Sequence, residues 1–435
     1  MKSLVVAFLT AVVIAVPHTA LAAGFRLVET DNGGQGMAHA TAASIGDAAA
    51  VYYNPAALTS LPGYSAKTGV EFVDPMNEFA AAGVEYAGQN RNEKTTNTTY
   101  VIPHLYVAKN WEDSGWAVGF GMFSDFGLGS SWSDYSSLRY VATDTQLRTT
   151  TYNVNVAKKL GDGFSAAIGV NYMTTDARFD SMYPFNLFEP GATDGYRLIR
   201  GTGTGWGFNG AILLKPADSV KIALTYRSQV KTAVSGNTDI LNFPGTLGGL
   251  VGGTGGDYSS ATNVDITYPD IAVLGIAWKP SDALTLEADV DYTGWASFDQ
   301  LAFNFSKPLK LSNGVSVLPS SATQKKDWKN VTAFRVGAAY SYSGTSTCRM
   351  GYYFDPTPVP DATFDPRMPD ADRNGVSIGW GYKAKDNFTL DASFSYLWTA
   401  TRSVSNTVGA EAKASVNGDY KSTANVFGLS AGYKF

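Results

Sequence analysis

The chain has 435 residues, a formal net charge of −5 and only 16% charged residues, with 13% aromatics and 45 glycines. The mild acidity and the lack of a basic cluster argue against a nucleic-acid partner, and a single cysteine, Cys348, excludes an internal disulfide framework. So many aromatics with so few charges is unusual for a soluble protein of this length.

Lys2 precedes an apolar run from Leu4 to Val16, and Ala20-Leu21-Ala22 follows. A charged start, a short apolar core and an A-x-A site form a secretory signal, with cleavage expected before Ala23. No later stretch reaches the length of a membrane helix. The expected organisation is a signal peptide over 1–22, an N-terminal segment over 23–63 and a strand region over 64–435. The segment 23–63 is rich in Ala and Gly and does not alternate. Gly33, Gly34, Gly36 and Gly46 divide it into short helical pieces. Asn54 suits a helix cap, and Pro55 suits the first helical position.

From residue 64 onward the hydrophobic period is two, which argues strands. Candidate strands fall near 64–73, 98–111, 115–126, 144–160, 163–180, 196–215, 219–236, 259–279, 283–305, 328–342, 346–355, 374–384, 388–406 and 419–435. In 284–293, Leu284, Leu286, Ala288, Val290 and Tyr292 alternate with Thr285, Glu287, Asp289, Asp291 and Thr293. Six short connections, such as Gly161-Asp162, alternate with seven long ones, including 74–97, 127–143, 181–195 and 237–258. Fourteen strands with short turns at one end and long loops at the other are the pattern of an outer-membrane barrel. A soluble sandwich also alternates, but its connections show no such asymmetry. Lipid cannot satisfy an open strand edge, so the sheet must close. The predicted fold is all-β: a fourteen-stranded antiparallel transmembrane β-barrel in the outer membrane of a Gram-negative cell. Its last strand ends on Phe435, an aromatic suited to the interfacial girdle. A barrel of this size leaves room inside, so the N-terminal segment can act as a plug.

Ala23-Gly24-Phe25, Asn54-Pro55-Ala56, "TYRSQVK" (225–231), "DYTGWASFDQL" (291–301) and "FDPTPVP…MPDADRNGVSIGWGY" (354–382) resemble a known family across the mature chain. It is the family of long-chain fatty acid and aromatic-hydrocarbon transporters of Gram-negative outer membranes (FadL/TodX-like, OMPP1). The resemblance implies a fourteen-stranded barrel closed by an N-terminal helical hatch inside the lumen. The terminal Phe435 likewise resembles the signal read by barrel-assembly machinery, which becomes an expected partner beside outer-membrane lipid and lipopolysaccharide.

A carrier of greasy molecules needs an apolar capture surface that is exposed. Two long loops fit, one with Tyr183, Phe185, Leu187 and Phe188, the other with Ile240, Leu241, Phe243, Leu247 and Leu250. The competing reading is that each loop buries its own apolar residues; the resemblance favours capture. A fatty carboxylate also needs a cation in its apolar pocket. Arg178, Lys325, Lys326 and Lys329 lie where family members use basic residues. The resemblance adds Gly24 and Phe25, since the family's N-terminus contacts substrate. It also implies a kinked third strand, here Ser124-Asp125-Phe126-Gly127, that opens the wall beside the hatch triplet Asn54-Pro55-Ala56. Gly within a strand is compatible with such a bend.

No nucleotide motif, G-x-S-x-G or H-E-x-x-H occurs, and the mature chain holds only His39 and His104. The expectation is a transporter without cofactor, metal or catalytic residues, carrying long-chain fatty acids by ligand-gated passive diffusion with lateral exit to the bilayer. Uptake of toluene-like hydrocarbons, a general porin and a surface adhesin or antigen are the alternatives. In liposome swelling a general porin admits small sugars, whereas this plugged carrier is expected to give no swelling above protein-free vesicles.

Overall fold

The computed structural model describes residues 24–82, 91–245, 247, 256–310, 314–385, 387–412 and 414–435. The expected signal peptide lies outside these residues, as does Leu250. Among them no helix is long and apolar enough to cross a membrane.

Fourteen antiparallel strands form one closed sheet. They are β1 (Tyr64–Ala81), β2 (Tyr100–Trp111), β3 (Trp116–Phe123, resuming as Gly127–Ser131), β4 (Asp144–Gly161), β5 (Phe164–Tyr183), β6 (Gly195–Ala217) and β7 (Val220–Arg227, then Val230–Phe243). The circuit continues with β8 (Gly256–Tyr268, then Ile271–Ser281), β9 (Leu284–Thr293, then Gln300–Phe305), β10 (Ser321–Lys325, then Val331–Ser341), β11 (Ser346–Asp355), β12 (Arg373–Lys385), β13 (Phe388–Thr399) and β14 (Gly418–Lys434). β14 pairs with β1 from Ser65↔Lys434 to Ala81↔Gly418, which closes the barrel and leaves no edge to lipid. β1 runs eight residues beyond the expected end at 73, because alternation persists through Pro75 and a short strand, Asn92–Lys94, folds back on it.

The polarity of the wall is inverted relative to a soluble protein. Ile168, Trp206 and Leu429 point outward at 73%, 70% and 60% exposure, while Asn153, Asn155 and Thr151 are fully covered on the inside. An uninterrupted apolar exterior over a polar interior is stable in lipid and costly in water. Exposed Tyr64, Trp111, Trp116, Tyr340, Tyr342 and Phe435 ring the short-turn end. Phe435 donates its N–H to the Tyr64 carbonyl at 2.9 Å, so the terminal residue sits at the closing seam.

Residues 24–63 lie inside the barrel as short pieces: α1 (Asn32–Gln35), α2 (Ala50–Tyr53) and a 3-10 turn (Pro55–Ser60). Such short helices have no independent stability. Groups on the inner wall hold them instead. Lys67 of β1 reaches Asp31 and Asp47 of the hatch and Asp391 of β13, the last two at 2.7 and 3.2 Å. Asp31 also caps α1 by accepting the Gly34 N–H at 2.8 Å. On β9, Glu287 accepts the N–H groups of Ala43 and Ser44 at 2.6 and 2.9 Å, and Asp289 accepts those of Thr41 and Ala42 at 3.0 and 3.1 Å. An asparagine network on β4, β5 and β6 (Asn153, Asn155, Asn171, Asn209) ends on the Val51 carbonyl. At Gly36 a Cβ would lie 2.9 Å from the Gly379 Cα of β12, so only glycine allows this approach.

Lys67→Met removes the cation shared by three carboxylates. It is expected to cost about 3–5 kcal/mol, seen as earlier loss of the compact, heat-modifiable band and a lower denaturant midpoint in detergent. Lys434→Met, at the exposed short-turn end, serves as the neutral control.

Candidate functional site

The interior is most apolar where the hatch begins. Phe25 is 3% exposed and meets five aromatic rings: Trp295 at 4.6 Å between centroids, Phe298 at 5.2 Å, Trp328 at 5.5 Å, Phe126 at 6.0 Å and Tyr268 at 6.1 Å. Most of these contacts are edge-to-face, the favourable quadrupole geometry. Tyr268, Trp295, Phe298 and Trp328 stand where β8, β9 and β10 are interrupted. There the backbone leaves the ladder, as in the turn Trp295–Ser297, and large rings fold inward. Gly24 has φ +60, and a Cβ on it would lie 2.7 Å from both the Trp295 and Trp328 rings. Its N–H donates to Asp370 Oδ2 at 3.2 Å, tying the start of the hatch to the loop between β11 and β12.

The next residues hold the kink of β3. Leu27 N–H donates to the Asp125 carbonyl at 2.9 Å, and Gly127 N–H donates to the Phe25 carbonyl at 3.0 Å. Thr149 of β4 satisfies the rest, accepting from Phe126 N–H and donating back to its carbonyl. Ser124 donates to the Thr149 carbonyl at 2.7 Å. Asp125 points inward, accepting from Thr151 at 2.8 Å and facing Arg227 at 3.6 Å.

Beyond the kink the wall is incomplete. β2 pairs with β3 only from Leu105↔Met122 to Trp111↔Trp116, and the upper part of β3 pairs with β4 alone. Residues 100–104 of β2 thus face Gly127–Ser131 without a ladder between them. A cavity of about 570 Å³ fills this gap, lined by Val101, Ile102 and Pro103 on one side, Gly127 and Leu128 on the other, and Gly24 and Asp370 within. Tyr100 lies over Gly129, where a Cβ would be 2.1 Å from its ring. The β11–β12 loop roofs the cavity, held by Trp132 Nε1 to the Pro366 carbonyl at 3.0 Å and by Ser130 to the Arg367 carbonyl at 3.0 Å.

The structure brings Gly24, Phe25, Ser124, Asp125, Phe126 and Gly127 together. The hatch triplet makes its hydrogen bonds to other groups. Asn54 accepts the Ala56 N–H at 3.1 Å and donates to the Ala42 and Ile212 carbonyls, which ties the triplet to β6. The two apolar loops do meet, but closed rather than open. Phe185 is fully buried, 4.9 Å from Phe243, and Tyr183 donates to the Val317 carbonyl at 2.6 Å. Ile240, Leu241 and Phe243 belong to β7 rather than to a loop. Leu187 and Phe188 are partly exposed, so this face presents only a small apolar surface.

The four cations part company as well. Arg178 points outward and pairs with Asp144 at 2.8 Å, because even-numbered residues of β5 face away from the lumen. Lys325 and Lys329 are exposed. Only Lys326 is buried, 3.3 Å from Asp365, which Arg367 also contacts. Burial lowers the Lys326 ammonium from its ordinary value against the pull of Asp365. Burial alone would raise Asp365, but Arg367 and Lys326 hold it down to about 2. Burial pushes Asp370 up to about 6 against the pull of Arg373 and Arg402, neither of which forms an ion pair with it. Sequence reasoning missed the rings around Phe25. Trp295 and Phe298 lie within the stretch 291–301 that carried the family resemblance, but no periodicity marks a ring that turns inward at a strand break.

The family model for outer membrane protein transport proteins (OMPP1/FadL/TodX) matches residues 13–435. The long-chain fatty acid transport protein of Escherichia coli O6:H1 is 25% identical over 452 residues, covering 98% of this chain and 97% of the relative. Outer membrane protein P1 of Haemophilus influenzae is 22% identical, with 95% of each chain covered. Among solved structures, a Pseudomonas aeruginosa FadL homologue superposes with a TM-score of 0.81 at 22% identity, covering 95% of this chain and all of the other. The Pseudomonas putida toluene transporter TodX gives 0.68 at 15% identity, with 94% and 98% covered. The chain therefore belongs to the OMPP1/FadL/TodX family, whose members are transport channels rather than enzymes, and is an outer-membrane β-barrel transporter of hydrophobic substrates.

Proposed function

We propose that this protein admits long-chain fatty acids by ligand-gated passive diffusion, with lateral exit through the gap between β2 and β3. The carrying observation is the cavity of about 570 Å³ that joins the N-terminal segment to unpaired wall. Its size lies within the ~300–1,000 Å³ of small-molecule sites. Residues 23–63 act as the hatch. The loop with Phe185, Leu187 and Phe188 and the outer end of β7 with Leu241 and Phe243 form the entry, and Lys326 is the inward-facing cation of that region.

Gating follows from shared contacts. Phe25 fills the ring cluster, while the carbonyl of Phe25 and the N–H of Leu27 complete the kink. A ligand that takes the place of the Phe25 side chain must move this backbone and break two hydrogen bonds at Asp125 and Gly127. Burying the displacing methylenes stabilises the ligand by about 0.8 kcal/mol each, and two exchanged backbone bonds cost roughly 1–3 kcal/mol. A chain of many methylenes therefore outweighs the bonds it breaks. Exit into lipid keeps the apolar chain out of water throughout and needs no energy source.

A second reading has its own support. The Phe25 side chain is a tethered benzyl group, and a pocket of five rings around it also suits a monoaromatic hydrocarbon. The toluene transporter TodX shares the fold.

Uptake of labelled oleate and labelled toluene is measured in a strain lacking its own such transporters, with and without the gene. Faster oleate entry is the expected result; toluene alone selects the second reading, and acceleration of neither removes both. Leu128→Trp narrows the gap. It is expected to cut oleate uptake several-fold while the purified protein still binds oleate. Unchanged uptake would mean that substrate leaves by another route.

A further inference from the structure

The cavity behind the gap is apolar over most of its lining, yet one guanidinium stands in it. Arg373 opens β12, and alternation places it inward: Gly375 and Ser377 follow on the covered face while Val376 and Ile378 are exposed. Its ladder partners, Asp355 of β11 and Thr399 of β13, share that face. Arg26, Arg335 and Arg349 each hold a carboxylate in the lumen. The Arg373 side chain makes no hydrogen bond or ion pair among the described residues. Asp355, Asp370 and Glu29 act on it through space, but each makes its direct contacts elsewhere. Asp355 faces Arg335, Asp370 accepts from Gly24 and Thr357, and Glu29 accepts from the Val28 N–H. A guanidinium whose five donors make no direct hydrogen bond, at the edge of a mostly apolar cavity, has donors left to offer an anion.

We propose that Arg373 is the headgroup site of the exit cavity, and that it selects a carboxylate-bearing lipid over an uncharged molecule of equal bulk. The assignment rests on the transport reading above and deepens it. A fatty carboxylate matches the planar fork of arginine bidentately. Its chain then lies along Val73, Ile102 and Leu397 toward the gap. Arg148, exposed on the outer face and opposite Gly127 in the ladder, lines the same cavity at its outer end and meets the headgroup on leaving. Glu29 and Asp370 keep the local charge from favouring the anion too strongly, which suits transit rather than storage.

The test compares the full-length protein, R373Q and R373K, purified in detergent, for binding of oleate and of methyl oleate, which has the same chain without the charge. R373Q is expected to weaken oleate about tenfold or more and leave methyl oleate within about twofold, while R373K, which keeps the charge without the planar fork, recovers only part of the oleate affinity. Unchanged oleate affinity in R373Q, or equal loss of both ligands, overturns the assignment. Should R373Q lose its compact heat-modifiable band, the unmutated protein decides: equal affinity for oleate and its ester also overturns it. Failure of the unmutated protein to accelerate oleate entry sinks the transport reading instead, a result separable from any effect of the substitution.

Discussion

Everything in this molecule follows from turning the apolar face of a closed sheet toward lipid. Backbone groups must then pair around the full circuit, which the β14–β1 seam achieves. The other face of every strand is confined to a lumen, where Lys67, Glu287, Asp289, Asp291 and Arg335 are almost wholly buried. Isolated charges there would be prohibitively costly. The hatch supplies their partners: Asp31 and Asp47 for Lys67, four N–H groups for Glu287 and Asp289, and Arg26 for Asp291. Barrel and plug are thus mutually required. Short Gly-interrupted helices hold their shape because the wall completes them, and the wall tolerates its charges because the helices are there.

The same dependence is concentrated at the first residues of the hatch. Phe25 belongs to the ring cluster, Gly24 to the loop above, and Leu27 to the kink of β3. Three elements that are far apart in sequence converge on a span of four residues. Pocket, roof and wall therefore share contacts with one short span, which is the basis of the gating proposed above. Each backbone link is on the scale of one hydrogen bond, so breaking them costs little beside the burial of an apolar chain.

The strands were legible because period-two alternation is a local property, and turn residues such as Pro280-Ser281-Asp282 interrupt it sharply. The end of β1 was not, since the strand runs on to Ala81 through Pro75, paired across the seam with β14 and with the short strand Asn92–Lys94. The motif around Ser124–Gly127 marked the kink, but not that its backbone is completed by Phe25 and Leu27 from the other end of the hatch. The cations were read poorly. Neighbouring lysines at 325, 326 and 329 look alike in a list of residues, and only the fold separates one buried ammonium from two exposed ones. Arg178 carried a role by likeness alone, whereas strand parity sends it to the outer surface.

Composition and alternation by themselves determined that this chain is a membrane barrel, how many times it crosses and which side chains meet lipid, because each of those depends on residues adjacent along one strand. Tertiary structure alone decided which rings enclose Phe25, where the wall lacks a ladder, that Asn54 bonds to the Ile212 carbonyl of β6, and that the Arg373 side chain makes no direct hydrogen bond or ion pair among the described residues. These depend on groups tens to hundreds of residues apart meeting inside a closed lumen. No local pattern encodes such meetings, since they are set by register around the whole circuit.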